Sequence, residues 1–199
     1  SFLQLEPDCL VITSLDADPL DIYEDQEDLE KTYKELVGNL HAEGSIISKP
    51  QVAQKLGLDN DPNLRTYSLE ADASARAEEL RVENGQFVFN YFSPDRIIND
   101  VRCGLPGIHN VENAVAAITV ALHYGLDANL VKDAVAKFQG VKRRFDVHLR
   151  TDKMVYIDDY AHHPEELKML LASVRELYPE KKVTLIFQPH LFSRTRDFG

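Results

Sequence analysis

Residues 155–164, VYIDDYAHHP, decide the fold of the C-terminal part of the chain. The apolar start predicts a strand. Pro164 and the two glutamates after it predict a helix, because proline favours the first helical position and acidic side chains favour the first turn. Ligands of open α/β sheets bind at the carboxyl ends of strands, and helix N-termini favour anions. The spacing leaves two interpretations open, a ligand site or a capped, solvated loop.

Outward from this stretch the pattern alternates between strands and helices. Strands are predicted at residues 9–13, 44–48, 64–69, 76–91 (a hairpin around Asn84-Gly85), 101–105, 146–150, 154–157 and 182–187. Helices are predicted at residues 27–40, 50–56, 110–124, 129–138 and 164–178. The order indicates an α/β fold with a boundary near residues 139–144.

Composition excludes several classes of protein. The 199 residues carry a formal net charge of -11, so the chain as a whole does not suit nucleic acid. No apolar run predicts a membrane span or a signal peptide. Cys9 and Cys103 form no CxxC pair, which is typical of reduced thiols in a cytoplasmic protein. The chain begins without Met and stops just after a strand-like run, so we expect both ends to be internal to a longer protein.

A second group of polar residues lies in GIHNVENAVAA, residues 107–117. Asn110 and Asn113 are three residues apart and share one face of the predicted helix. A primary amide places a donor beside an acceptor, which matches the edge of adenine. Asn110 could equally be the N-cap of the helix.

Three further polar stretches have weaker signals. The basic run at residues 142–144 suits a phosphate or a solvated surface. Arg194 and Arg196 follow the last predicted strand and could bind a carboxylate or phosphate, or could belong to an ordinary polar loop. Asp16 and Asp18 are a weak signal for a divalent metal.

Taken together and in order, five segments resemble the Mur ligase family. They are ITSLDADPLDIY (12–23), GIHNVENAVAA (107–117), FQGVKRRFD (138–146), YIDDYAHHPEE (156–166) and FQPHLFSRTRDF (187–198). The resemblance implies the C-terminal part of a central ATP-binding domain at residues 1–140, with a mixed sheet and flanking helices. It implies the start of a Rossmann-like C-terminal domain at residues 141–199.

The resemblance also implies a reaction and a set of site residues. Members of the family use ATP and Mg²⁺ to join an amino acid to a UDP-linked muramyl carboxylate through an acyl phosphate. The adenine would be held by His109, Asn110 and Asn113, the nucleotide phosphates by Arg144, and the ribose hydroxyls by Asp159. The muramyl substrate and amino acid would meet Tyr160, His162, His190 and Arg194, with His162 and Arg194 as the catalytic candidates.

Three departures from the family pattern bear on activity. Pro19 stands where the family has a magnesium-binding histidine, so no metal ligand is assigned there. Leu191 stands where the family has an arginine. The chain contains no GxxxxGK[ST] phosphate loop, so we expect that it does not catalyse ligation alone.

Within the family, the segments most resemble members that join L-alanine to UDP-N-acetylmuramate in peptidoglycan precursor synthesis. Two alternatives stay open: a ligase that attaches a recycled murein tripeptide, and a non-catalytic nucleotide-binding module.

Overall fold

The structure is a computed structural model that describes residues 2–15, 23, 25–162 and 164–188. Its helices are α1 (Gln26–Gly38), α2 (Pro50–Leu56), α3 (Ile108–His123), α4 (Ala128–Lys137) and α5 (Pro164–Leu177), and a 3-10 turn spans Phe2–Gln4. Six strands form one sheet in sequence order, namely β1 (Cys9–Ile12), β2 (Ser45–Ser48), β3 (Leu64–Ser68), β4 (Ala75–Glu83), β5 (Gln86–Ser93) and β6 (Arg96–Arg102). The strands β7 (Asp146–Arg150) and β8 (Val155–Asp158) form a second sheet. The predicted α/β class is confirmed.

The chain folds into two compact units. The first unit comprises Ser1–Glu78, Tyr91–Ile97 and Val115–Leu126, and the second comprises Glu79–Asn90, Ile98–Ala114 and Asp127–Gly199. Every described residue that the sequence analysis assigned to the nucleotide or the substrate lies in the second unit.

In the first unit, parallel strands build the core. β1 pairs with β2 and β2 pairs with β3, with Ile46 opposite both Leu10 and Leu64. Ile46 and Ile47 are completely buried, as expected for a parallel strand covered on both faces. α2 begins at Pro50 and is capped by Gly57, whose φ of 73° is the left-handed conformation that glycine adopts without strain.

In the second unit, the β7–β8 hairpin leads into the loop that precedes α5. Asp146 lies opposite Asp158, and Arg150 lies opposite Val155. Between these pairs the register shifts, because Val147 pairs with Ile157 while Leu149 pairs with Tyr156. His148 is therefore the extra residue of a β-bulge.

Two predictions about strands need correction. The predicted strand at residues 182–187 is wrong, because residues 182–188 have no regular secondary structure and the Ile186 side chain is 92% exposed. A β-strand exists only when its backbone pairs with a neighbour, and none of the described strands pairs with this run. β6 begins at Arg96, before the predicted start at residue 101, because the Pro94-Asp95 turn signal was missed. Among the described helices, none combines the length and the apolar character that crossing a membrane requires.

Candidate functional site

The start of α3 is shaped by Gly107 and Asn110. Gly107 has a φ of 104°, a conformation that strains other residues, and the helix begins at the next residue. The side-chain nitrogen of Asn110 donates a hydrogen bond to the carbonyl oxygen of Pro106 at 2.7 Å. Asn110 is the third residue of the helix, so it is not the N-cap, and its amide holds the preceding turn. Asn113 lies one turn further along and is exposed.

His109 brings an unused nitrogen into this site. Its Nδ1 atom is buried and has no hydrogen-bond partner among the residues that the structure describes. The pKa of His109 is lowered, chiefly because burial disfavours the imidazolium and also because of the positive charge of Arg144. The charges of Asp159 and Glu112 act in the opposite direction. The predicted nucleotide residues His109, Arg144 and Asp159 are therefore electrostatic neighbours.

Asp159 joins two segments that are distant in sequence. Its Oδ2 accepts a hydrogen bond from the backbone N–H of Phe145 at 2.6 Å. Its Oδ1 accepts one from the backbone N–H of Ala161 at 2.7 Å. Bonds to an ionised carboxylate are among the stronger hydrogen bonds in proteins. Asp159 thus fixes the loop after β8 against the segment that precedes β7.

The segment before β7 has an unusual backbone. Arg143 and Phe145 both have positive φ, at 62° and 49°, which costs a residue with a side chain some strain. Burial of the Phe145 side chain, which is 2% exposed, compensates for part of this strain. The N–H of Tyr160 donates to the carbonyl oxygen of Arg143 at 2.7 Å and adds a second link between the loops. The arginine side chains at positions 143 and 144 stay exposed.

Tyr160 and His162 follow Asp159 directly. Their rings lie 5.2 Å apart in an edge-to-face arrangement. The Nδ1 of His162 lies 2.9 Å from the carbonyl oxygen of Tyr160, so this nitrogen carries the hydrogen and donates it. The carboxylate of Glu166 accepts from the backbone N–H of His162 at 3.0 Å and so satisfies a donor just before α5.

The structure brings together five of the predicted residues in one loop region. His109, Arg144 and Asp159 come from three separate segments, and Tyr160 and His162 continue from Asp159. Seven residues singled out in the sequence lie outside the described residues: Asp16, Asp18, Pro19, His190, Leu191, Arg194 and Arg196. Within the described ranges, no cluster of three or more His, Cys, Asp or Glu side chains can hold a metal ion.

Sequence reasoning missed the residues that support this region. Arg143 approaches the Tyr160 ring and pairs with Asp158, and Asp146 receives the N–H of Arg143. The pairing of the two predicted strands could have indicated these residues. It places Asp146, at the start of β7, opposite Asp158, at the end of β8, and both lie next to the basic run.

The family of the chain follows from comparison with known sequences and structures. Residues 1–121 match the model of the Mur ligase middle domain, and residues 143–199 match the model described as Mur ligase, glutamate ligase domain. The chain belongs to the Mur ligase family, and the resemblance seen in its motifs is confirmed.

Individual relatives show which members of the family the chain is similar to. A protein of Flavobacterium johnsoniae named UDP-N-acetylmuramate–L-alanine ligase is 42% identical over 199 residues, which cover 100% of this chain and 42% of the relative. The crystal structure of UDP-N-acetylmuramate-alanine ligase MurC from Thermotoga maritima matches with a TM-score of 0.80 at 25% identity, over 94% of this chain and 43% of that one. The MurF ligase of Thermotoga maritima in complex with ADP matches with a TM-score of 0.70 at 16% identity, over 85% and 39% of the two chains, and shares the fold. The chain spans less than half the length of these relatives.

Proposed function

We propose that this chain is part of a cytoplasmic, ATP-dependent ligase that joins L-alanine to UDP-N-acetylmuramate during peptidoglycan precursor synthesis. Residues 1–140 belong to its central ATP-binding domain and residues 141–199 to its C-terminal domain. The observation that carries the proposal is the hydrogen bond from the N–H of Phe145, the residue after Arg144, to Oδ2 of Asp159, in the unit that also contains His109. Relatives that bear this enzyme's name and are 42% identical over the whole chain support the choice of substrates.

The described residues fit a nucleotide. His109 offers an unused ring nitrogen, Arg144 an exposed guanidinium suited to phosphate, and Asp159 a carboxylate suited to ribose hydroxyls. Asn110 donates one side-chain N–H to Pro106 and keeps its amide oxygen and second N–H for adenine, while the exposed Asn113 can also offer donor and acceptor. When bound, ATP supplies the phosphoryl group that activates the muramyl carboxylate.

The substrate side of the site is assigned to Tyr160 and His162, together with His190 and Arg194. The hydrogen bond to the Tyr160 carbonyl fixes the tautomer and orientation of the His162 ring, which suits a residue that positions the incoming amine. Arg194 would stabilise negative charge that develops as the amine attacks. Magnesium belongs to the complete enzyme, and we assign it no ligand among the described residues.

The first test asks whether the full-length gene product uses L-alanine or a tripeptide as its amine substrate. Phosphate release from ATP is measured with UDP-N-acetylmuramate and magnesium, adding L-alanine in one reaction and the L-Ala-D-Glu-meso-diaminopimelate tripeptide in another. We expect release with L-alanine. Release with the tripeptide alone would assign the protein to murein recycling. ATP binding without phosphate release in either reaction would identify the protein as a non-catalytic nucleotide-binding module.

A second test concerns the 199-residue chain by itself. Because its sequence contains no GxxxxGK[ST] loop to hold the phosphates, we expect no phosphate release above background with ATP and both substrates. The full-length protein under the same conditions is the control. Turnover by the chain alone would contradict this part of the proposal.

A further inference from the structure

Arg143 contacts Tyr160 through both its side chain and its main chain. The guanidinium carbon lies 5.6 Å from the centroid of the Tyr160 ring, within the range of a cation–π interaction. The carbonyl oxygen of Arg143 accepts the N–H of Tyr160 at 2.7 Å. Together these contacts fix the ring of Tyr160 relative to the segment that precedes β7.

Two carboxylates hold Arg143 in place. Its Nε lies 3.6 Å from Oδ2 of Asp158, and its backbone N–H donates to Oδ2 of Asp146 at 3.3 Å. Asp146 and Asp158 are directly opposite each other in the β7–β8 hairpin, where like charges repel. A guanidinium beside Asp158 reduces this repulsion, and His148 lies 3.6 Å and 3.9 Å from the two carboxylates.

Arg144, the next residue, has a different neighbour. Its positive charge acts on His109 at the start of α3, whereas the contacts of Arg143 are with the loop after β8. The positive φ of Arg143 is a conformation that a residue with a side chain keeps only where its surroundings hold it. The bonds to Asp146 and Tyr160 hold it here.

We propose that the two arginines divide their roles: Arg144 binds the nucleotide, and Arg143 is a positioning residue that orients Tyr160 toward the muramyl and amino-acid substrates. The inference rests on the proposed ligase function and adds to it a residue that acts through Tyr160. It predicts that a substitution at position 143 lowers the affinity for the muramyl substrate, whereas a substitution at position 144 lowers the affinity for ATP.

The test uses the full-length protein and steady-state kinetics with each substrate varied in turn. Arg143→Gly removes the side chain, and glycine tolerates the positive φ. The loss of one exposed cation–π contact and one exposed ion pair should raise the KM for UDP-N-acetylmuramate about fivefold, with the KM for ATP within about twofold. Arg144→Ala should mainly raise the KM for ATP. Arg150→Ala, which removes an exposed arginine on β7 that bonds to Tyr178, is the matched control and should change neither.

A double-mutant cycle separates positioning from direct contact. If Arg143 acts through Tyr160, Arg143→Gly combined with Tyr160→Ala should raise the KM no more than Tyr160→Ala alone. Additive increases would show that Arg143 acts independently of Tyr160. Equal effects of the Arg143 and Arg144 substitutions on the same KM would overturn the division of roles.

Binding measurements keep this inference separate from the proposed function. Calorimetric titration of the same variants with ATP and with UDP-N-acetylmuramate needs no turnover. A wild-type protein without ligase activity would refute the proposed function. Weaker binding of UDP-N-acetylmuramate to Arg143→Gly, with ATP binding kept, would still support the division, and unchanged binding of both ligands to that variant would refute it.

Discussion

Asp159 is the residue whose removal should most disturb the candidate site. In Asp159→Ala the N–H groups of Phe145 and Ala161 lose their acceptor, at 2.6 Å and 2.7 Å respectively. Phe145 is 2% exposed, so water cannot easily replace the carboxylate at its N–H. Leaving a buried donor unsatisfied costs about 2 kcal/mol, which corresponds to about a 30-fold change in an equilibrium constant.

Native-state hydrogen exchange measures this loss locally. The amide of Phe145 should exchange about 30-fold faster in Asp159→Ala than in the wild type, because local opening becomes easier. Asp159→Asn keeps one oxygen acceptor and should give a smaller increase. Asp133→Ala is the matched control, because the Asp133 side chain is 70% exposed and lies 3.9 Å from Lys137, a contact worth under about 0.5 kcal/mol.

One result would refute this reasoning. If the Phe145 amide exchanges at the wild-type rate in Asp159→Ala, the carboxylate does not hold the two loops together. An equal increase in Asp133→Ala would show that the effect is a general loss of stability.

Three further predictions follow from the start of α3. Because the pKa of His109 is lowered in the folded state, the protein should lose stability as the pH falls from about 6.5 toward that lowered pKa. In His109→Gln, the free energy of unfolding, measured by denaturant titration, should depend less steeply on pH over the same range. Gly107→Ala should destabilise the protein by about 1–3 kcal/mol, since a Cβ would lie 2.7 Å from Cε1 of His109. Gly125→Ala has open space for the Cβ and should cost backbone strain alone, so equal losses of unfolding free energy in urea would contradict this prediction. Asn110→Ala should lower the melting temperature because the bond to Pro106 is lost, while the exposed Asn113→Ala should weaken ATP binding by calorimetry without changing the melting temperature.

Local signals in the sequence predicted most elements of the fold. Pro164 marks the start of α5, Gly57 marks the end of α2, and Asn84-Gly85 marks the turn between β4 and β5. Each works through its own backbone geometry and needs no distant partner. Residues 182–187 failed as a strand because pairing depends on a distant neighbour, which an apolar run alone does not specify.

The candidate site was predictable as a set of residues but not as a network. The motifs named His109, Arg144 and Asp159, and the structure makes them neighbours. The roles of Asp159 as a backbone acceptor and of Arg143 as a partner of Tyr160 depend on positive φ values in the segment before β7. Positive φ at residues with a side chain is set by tertiary contacts, and sequence patterns do not reveal it.

The bulge at His148 has a consequence for how this hairpin can vary between related proteins. On the site side of the bulge, Asp146 is paired with Asp158, and on the far side Arg150 is paired with Val155 before the turn at residues 151–154. Insertions at the turn would leave the Asp146–Asp158 pair in register, because the site lies at the opposite end of the hairpin. Loss of the residue at position 148 would remove the bulge and the local bend and twist that it gives to β7 beside the Asp146–Asp158 pair. Length variation among homologues should therefore accumulate at the turn, while the number of residues between Asp146 and Arg150 should be constant.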